Sequence, residues 1–172
     1  DEIVVTIADN TAPLVALQPV TLTLDANGTA TLDTAMVIDY VRENCSVSSM
    51  SLSQTTFNCS DLGDNTITLT VIDSEGNSTA HTSTVTVTDA AAPVAATQDI
   101  TLALDANGAA SMSYLDIEDG STDNCGIESY AIDATNFTCA NLGVNWVVLT
   151  VTDAAGNTDT AWSRVTVVDQ LD

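Results

Sequence analysis

Residues 69–77 read LTVIDSEGN, and residues 149–157 read LTVTDAAGN. In both stretches apolar residues alternate with other side chains and then meet an Asp-x-x-Gly-Asn turn. Such a pattern is typical of a half-buried β-strand that enters a tight hairpin. The two stretches lie 80 residues apart, so the strand signal that decides the fold class occurs twice at a fixed spacing.

The same shift of 80 residues superimposes most of the chain on itself without a gap. It carries LDANG at 24–28 onto LDANG at 104–108, and FNC at 57–59 onto FTC at 137–139. A repeat of this length matches a small autonomous domain and is too long for a solenoid unit. The sequence therefore predicts two tandem copies, residues 9–88 and residues 89–169.

Alternating strands predict an all-β fold. Threonine alternates with apolar residues at 20–24, 66–71 and 83–87, and the shifted segments 100–104, 147–151 and 165–168 repeat the pattern. No segment has a sustained helical period, although residues 35–41 could form one helical turn. We predict two tandem immunoglobulin-like β-sandwich domains in an elongated array.

Residues 1–8 align with residues 81–88 and with residues 161–168 under the same shift. We interpret them as the last strand of a preceding repeat, and residues 170–172 as the start of a further linker. Continuation of a longer chain would explain this, and so would a strand donated to a neighbouring subunit of a fibre.

The charge balance limits the partners. Twenty-four acidic residues face two arginines and one histidine, for a formal net charge of −22. Such a surface repels phosphate backbones, so nucleic-acid binding is excluded. Water, monovalent salt or bound divalent cations must offset the charge. No apolar run approaches the length of a membrane span, which predicts no membrane insertion by this segment.

Each copy contains two cysteines in matching register, fourteen positions apart. An even pair per repeat predicts one disulfide per domain, Cys45–Cys59 and Cys125–Cys139, in an oxidising compartment. Closing such a loop would stabilise a domain by about 3 kcal/mol. Zinc is the alternative, but two thiols without histidine neighbours do not complete a zinc site.

The motifs, taken together, resemble a known family. Asp-x-x-x-Pro, Asp-x-x-Gly, Asp-x-x-x-Asp-Asn-Cys-Gly, Phe-x-Cys and a closing Val-Thr-Val resemble the hyalin-repeat (HYR-like) branch of immunoglobulin-like domains. The chain is similar to repeat tracts of secreted and surface adhesins of marine Bacteroidetes. Copy two fits best, with DGSTDNCG at 119–126, whereas copy one departs with DYVRENCS at 39–46. The resemblance implies adhesion or spacing at the cell surface, without catalysis.

Acidic residues cluster at turns that sandwich geometry brings to one end of each copy. Carboxylate and amide oxygens suit Ca²⁺, which takes six to eight oxygen ligands. Calcium there would stiffen each junction between repeats. The alternative is that these residues only cap turns, because Asp-x-x-Gly-Asn forms a good hairpin without metal. The candidate ligands are Asp9, Asp39, Glu43, Asn44 and Asp73 in copy one, and Asp89, Asp119, Asp123, Asn124 and Asp153 in copy two.

Both tryptophans lie in copy two. Period two along the strands places Trp146 and Trp162 on the outward face with Arg164, which suggests a contact surface for a sugar, a subunit or a neighbouring domain. They could instead cover a loop of their own domain. The Asp-Thr-Ala motifs at Thr34 and Thr160 are short candidate sites for O-glycosylation.

The sequence gives no sign of an enzyme: the single His81 lacks a nucleophilic partner, and the paired acids lie in turns. We expect an extracellular structural segment, a stalk or fibre of tandem repeats whose partners are neighbouring repeats, other fibre subunits or surface glycans. A self-assembling filament subunit that uses residues 1–8, and a carbohydrate-binding module that uses the two tryptophans, are the alternatives.

Overall fold

The computed structural model describes residue 3 and residues 8–169 of the chain. The chain divides into two compact units, Asp1–Asp89 and Ala90–Asp172, so the division falls next to the predicted boundary after residue 88. Of residues 1–8 only residues 3 and 8 are described, so the prediction of a strand of another repeat or a donated strand there, and the prediction for residues 170–172, lie outside the described part of the chain.

The described residues of unit 1 form eight strands, one α-helical turn and one 3-10 turn, the last at Cys59–Asp61. In chain order the strands and the α-helical turn are β1 Leu14–Leu17, β2 Val20–Thr23, β3 Thr29–Thr31, α1 Thr34–Val37, β4 Ile38–Arg42, β5 Val47–Leu52, β6 Thr56–Asn58, β7 Gly63–Asp73 and β8 Ser78–Thr88. One sheet has the order β2-β8-β7-β5, and two-stranded ladders β1-β4 and β3-β6 complete the unit. Strand β2 runs parallel to β8, and the other pairs are antiparallel.

Unit 2 repeats this topology. Its strands are β9 Ile100–Leu104, β10 Ala109–Ser111, β11 Ile127–Ile132, β12 Asn136–Thr138, β13 Gly143–Asp153 and β14 Thr158–Asp169. The four-stranded sheet has the order β11-β13-β14-β9, with β9 parallel to β14. Two isolated antiparallel bridges, Val94 with Thr122 and Thr97 with Glu118, stand where unit 1 has the β1-β4 ladder. The prediction of an all-β chain of two tandem immunoglobulin-like sandwiches is confirmed.

The alternation of the sequence decides which side chains form the core. In β7, Ile67, Leu69 and Val71 are buried, and Val147, Leu149 and Val151 occupy the same positions in β13. Successive strand residues point to opposite faces, so every second residue of each strand faces inward and together they form one buried row. The next residue in each row is an aspartate, Asp73 or Asp153. Each unit therefore carries a buried acid at the end of its core.

The LDANG segments form the same tight turn in both units. The Oδ1 atom of Asp25 accepts hydrogen bonds from the backbone N–H of Asn27 at 2.9 Å and of Thr29 at 3.0 Å. These N–H groups, that of Thr29 above all, lower the pKa of Asp25. Gly28 has φ 70°, a backbone conformation that glycine adopts without strain.

Core burial predicts the effect of one matched pair of substitutions. Leu149 is fully buried in β13, whereas Leu115 is 69% exposed. Leu149→Ala should destabilise unit 2 by about 2–5 kcal/mol because it leaves a cavity, and Leu115→Ala should change stability by less than about 0.5 kcal/mol. Urea unfolding followed by tryptophan fluorescence reports on unit 2, since both tryptophans lie there. Equal losses from the two variants would contradict this view of the core.

Candidate functional site

Three acids of unit 1 converge at one place. Carboxylate oxygens of Asp9, Glu43 and Asp73 lie within 4.8 Å of one another. Asp9 precedes β1, Glu43 follows β4, and Asp73 ends β7, so three separate parts of the chain supply them. We call these three residues the copy-one acid group, and the end of the unit where they lie its acid end.

Asp73 is held in place by the hairpin that it closes. It is 1% exposed. Its Oδ1 atom accepts hydrogen bonds from the backbone N–H groups of Glu75 and Asn77 at 2.9 and 2.8 Å, and its Oδ2 atom accepts one from Asn77 Nδ2 at 2.7 Å. The same amide donates to the backbone carbonyl of Asp9 at 3.0 Å. Asn77 thereby joins the hairpin to the segment that carries Asp9.

Asp9 and Glu43 each use one oxygen to organise their own loop. Asp9 Oδ1 accepts from the Thr11 N–H at 3.0 Å, and Glu43 Oε1 accepts from the N–H groups of Asn44 and Cys45 at 2.8 and 3.2 Å. The other oxygens, Asp9 Oδ2 and Glu43 Oε2, are buried and accept no hydrogen bond within the described part of the chain. A buried carboxylate oxygen without a donor is costly, which favours a bound cation at this position.

The repeat places a second group at the corresponding positions of copy two. Oxygens of Asp89, Asp123 and Asp153 lie within 4.8 Å of one another. Asp153 repeats the bonds of Asp73, including a 2.8 Å bond from Asn157 Nδ2. Asp123 Oδ2 accepts from the Cys125 N–H at 2.7 Å, while Asp123 Oδ1 is buried and accepts no bond within residues 8–169. These three residues are the copy-two acid group.

Two members of the copy-one acid group have lowered pKa values. Burial acts to raise the pKa of Asp73, but the Asn77 amide and the turn N–H groups outweigh it. The Thr11 N–H, first among several donors, lowers the pKa of Asp9. Both carboxylates are therefore ionised at neutral pH, and their mutual repulsion across a few ångströms is relieved best by a cation.

The geometry of both groups fits Ca²⁺. Calcium binds oxygen at 2.3–2.6 Å, so two ligands on opposite sides of the ion lie about 5 Å apart, and the oxygens of each group fall within that span. Three carboxylates supply only part of the six to eight ligands, and carbonyl and water oxygens would supply the rest. The donor set consists of hard oxygens, which suits calcium better than zinc.

The structure sorts the candidate ligands predicted from the sequence. Six of them form the two groups, whereas Asp39 and Asp119 are exposed and lie outside both. Arg42, next to this loop in copy one, lies over the ring of Tyr40, 5.2 Å from its centre. Asn44 and Asn124 directly follow Glu43 and Asp123 in the chain. Glu43 takes the place of Asp123, so the departure of copy one from the family pattern still leaves three acids together.

Sequence reasoning missed the role of Asn77 and Asn157. Their motif, Asp-x-x-Gly-Asn, predicts a hairpin in which the final asparagine is a turn residue. It does not predict a bond from that asparagine to the segment before β1. In the structure the Asn157 amide donates both to Asp153 and to the carbonyl of Ala91 at 3.0 Å. The occurrence of this asparagine at the same place in both copies was the available signal.

The predicted disulfides Cys45–Cys59 and Cys125–Cys139 are wrong. Cys45 and Cys139 have free thiols, whereas Cys59 and Cys125 are disulfide-bonded. The strand register explains the error. Cys45 precedes Val47, which pairs with Asp73, whereas Cys59 precedes Gly63 at the other end of the same strand. Ten strand residues span about 33 Å, but bonded cysteines need Cα atoms within about 7 Å.

The structure places both indoles on one outward face. Trp146 and Trp162 are 59% and 63% exposed, and Trp146 pairs with Arg164 across β13 and β14. Arg164 Nε forms an ion pair with Asp99 Oδ2 at 3.1 Å, and the Arg164 N–H donates to Asp99 Oδ1 at 2.9 Å. We call Trp146, Trp162, Arg164 and Asp99 the tryptophan face.

The two candidate glycosylation threonines differ in setting. Thr34 begins α1, is partly buried, and donates to its neighbour Asp33, whose Oδ1 atom also caps the helical turn. Thr160 is exposed near the start of β14. Glycosylation at either position stays a prediction.

Comparisons with known proteins found similar solved structures and no matching family. No protein-family model matches the chain. No curated protein matches it. Among solved structures it is similar to human protocadherin-24 EC1-2, with 14% identity, a TM-score of 0.47 and coverage of 94% of this chain and 100% of that one. Human mucin-like protocadherin EC1-2 has 12% identity, a TM-score of 0.45 and coverage of 91% and 98%.

A third similar structure comes from a bacterium. The fibronectin(III)-like modules of Clostridium thermocellum CbhA have 11% identity, a TM-score of 0.34 and coverage of 91% of this chain and 94% of that one. Within the described residues the structure contains no helix that is long and apolar enough to cross a membrane.

The acid groups predict the effect of adding one more charge. Asn157→Asp replaces the donor at 2.8 Å from Asp153 Oδ2 with a carboxylate. With a chelator present, this substitution should lower the free energy of unfolding of unit 2 by about 3 kcal/mol or more. The reason is that the added buried carboxylate has no partner of opposite charge. Asn136→Asp, in an exposed position, is the matched control. Thermal unfolding followed by tryptophan fluorescence measures both, and equal melting temperatures would show that Asn157 does not hold the group.

Proposed function

We propose that this chain is a structural segment of a secreted or cell-surface adhesin, a stalk or fibre of tandem immunoglobulin-like repeats with calcium at the acid ends of its domains. The role is mechanical and non-catalytic. The observation that carries the proposal is the pair of equivalent acid groups, which occupy the same three positions in both copies.

The architecture supports a role as part of a longer tract of tandem repeats. Each unit has its own sheet and its own buried core, and the same motifs recur at a fixed spacing. The HYR-like motif pattern supports a place among bacterial surface repeats. A net charge of −22 keeps such a tract soluble and favours cations over anionic partners.

Calcium would act on the segment that leads into each domain. Asp9 lies on that segment, and in the repeat Asp89 has the same place, while the other two acids of each group belong to the domain body. An ion held by all three would fix the direction in which the segment leaves the domain. Repeats joined in this way would form a stiff rod, whereas repulsion between unneutralised acids would loosen it.

Calcium binding has a direct test with a matched control. Asp123→Asn removes charge from the copy-two acid group and should weaken Ca²⁺ binding at least tenfold, measured by calorimetry. Asp119→Asn, four residues earlier and outside the group, should bind as the wild type does. At a hundredfold excess over Kd, calcium stabilises a domain by about 2.7 kcal/mol, so EDTA should lower the melting temperature.

Solution scattering completes this test, because EDTA should also allow the two domains to bend. Unchanged melting and unchanged scattering in excess EDTA would refute the calcium part of the proposal. The tandem-repeat part would be refuted by a gene product that has no further copies and no adhesive or surface role.

The tryptophan face favours carbohydrate binding as a second candidate function. Two indoles exposed on neighbouring strands offer flat apolar surfaces, and the Asp99–Arg164 ion pair beside them offers polar groups. Copy one has threonines, Thr66 and Thr82, at the tryptophan positions, so the face belongs to one repeat only.

A glycan array tests this candidate. The Trp146→Ala/Trp162→Ala variant should lose at least tenfold in signal on the glycans that bind the wild type. Val94→Ala, which alters another exposed apolar residue of unit 2, should bind normally. If no glycan distinguishes the wild type from the double variant, the face does not bind carbohydrate.

A further inference from the structure

Copy two differs from copy one on one side of its sheet, while the core beneath is of the same kind. The inward rows of β7 and β13 are apolar at equivalent positions. On the outward side and at its two edges, copy two has Asp99, Asp133, Trp146, Val148, Trp162 and Arg164 where copy one has Pro19, Ser53, Thr66, Thr68, Thr82 and Thr84. The fold does not require these differences, since copy one folds without them. They point instead to a contact that copy two makes.

The strand register sets the order of the side chains on this side. Trp146 pairs with Arg164, and Val148 pairs with Trp162, so the two indoles are diagonal neighbours on β13 and β14. Diagonal neighbours on one face of a sheet lie about 7–8 Å apart, which is more than the length of one sugar ring. Each indole therefore has room to stack on a ring of its own, and Val148 adds apolar surface beside them.

A carboxylate lies at each edge of this apolar surface and is held by a backbone N–H group. Asp133 Oδ1 accepts from the Val148 N–H at 2.9 Å, on the β11 side of β13. Asp99 Oδ1 accepts from the Arg164 N–H at 2.9 Å, on the far side of β14. This N–H, more than the Arg164 side chain, lowers the pKa of Asp99. Asp133 is exposed, so its second oxygen can accept from a hydroxyl group of a ligand.

The charges on this side disfavour a ligand of either sign. Arg164 is paired with Asp99, so the two together carry no net charge. An anion would meet the charge of Asp133 and the net charge of −22 on the chain, whereas a cation over the indoles would meet Arg164. A second copy of the chain would bring two more carboxylates onto the same surface. An uncharged ligand with apolar faces and hydroxyl donors fits best.

We propose that the tryptophan face, together with Val148 and Asp133, binds an uncharged polysaccharide chain. One sugar ring stacks on each indole, and hydroxyl groups donate to Asp133 and to the carboxylate of Asp99. Asp133 selects against uronate and sulfate groups by repulsion. This inference rests on the second candidate function, carbohydrate binding, and narrows it to one class of ligand.

Hexasaccharides of different charge test the class of ligand. The set contains neutral glucan and mannan chains, a uronate chain, a sulfated chain and a chitosan chain with free amines. Binding is measured by calorimetry in EDTA, so that calcium does not bridge an anionic chain to the protein. The wild type should bind a neutral chain at least tenfold more tightly than any charged chain. The monosaccharide of that neutral chain should bind at least tenfold more weakly, because it covers one indole only.

Asp133→Ser is a matched test of the edge residue. In copy one Ser53 Oγ accepts the equivalent N–H, that of Thr68, at 2.9 Å, so serine keeps the local structure. The variant should bind the neutral chain about tenfold more weakly, since a hydrogen bond to a charged acceptor is lost. Its discrimination against the uronate chain should also fall. Asp119→Ser removes the same charge from an exposed position elsewhere in unit 2 and should bind as the wild type does.

The outcomes separate this inference from the candidate function on which it rests. A charged chain that binds as tightly as the neutral ones would overturn the inference and leave carbohydrate binding in place. Unchanged binding by Asp133→Ser would overturn the role of Asp133. Binding of no glycan would refute both. Sedimentation of the wild type as a dimer, and of Trp146→Ala/Trp162→Ala as a monomer, would then assign the face to contact between two copies.

Discussion

The buried aspartate at the end of the longest hairpin is the constraint on which each domain depends. Asp73, and Asp153 in the second copy, continue the inward row of apolar residues but carry a charge. Their oxygens are satisfied by the turn N–H groups and by the asparagine that ends the turn. The same asparagine amide donates to a backbone carbonyl of the segment that leads into the domain. The buried carboxylate and its asparagine therefore hold the hairpin and this segment together. The carboxylate also places one oxygen close to the other two acids of its group.

Duplication separates what the fold needs from what a single copy adds. The acid groups occupy the same three positions in both copies, even though one position holds glutamate in copy one and aspartate in copy two. The longer side chain reaches the same place because its loop N–H groups hold one of its oxygens. The tryptophan face, by contrast, occurs only in copy two. The acid groups are therefore a feature of the repeat itself. The tryptophan face is a feature of copy two alone and is suited to a contact that only this copy makes.

The acid group and the two cysteine positions lie at defined ends of each domain. The acid end carries three carboxylates and one cysteine position, while the opposite end carries the LDANG turn and the other cysteine position. Gly108 illustrates how closely these parts fit. A Cβ atom there would come within 2.7 Å of Cys139 Sγ, and the residue has a φ of 70°, so glycine is needed both for the turn and for the thiol beside it.

The sequence alone determined the strands, the turns, the repeat and the convergence of six acids, because period-two burial and turn chemistry are local properties. It also placed both indoles outward, for the same reason. It did not determine the cysteine pairing. A spacing of fourteen residues does not reveal that the two cysteines of a copy lie at opposite ends of its longest strand. Nor did it separate Asp123 from Asp119, four residues apart in one loop. Only the tertiary structure decided the cysteine pairing and the difference between Asp119 and Asp123. Distances across a fold depend on strand register and on loop packing, and the side-chain pattern of the sequence encodes neither.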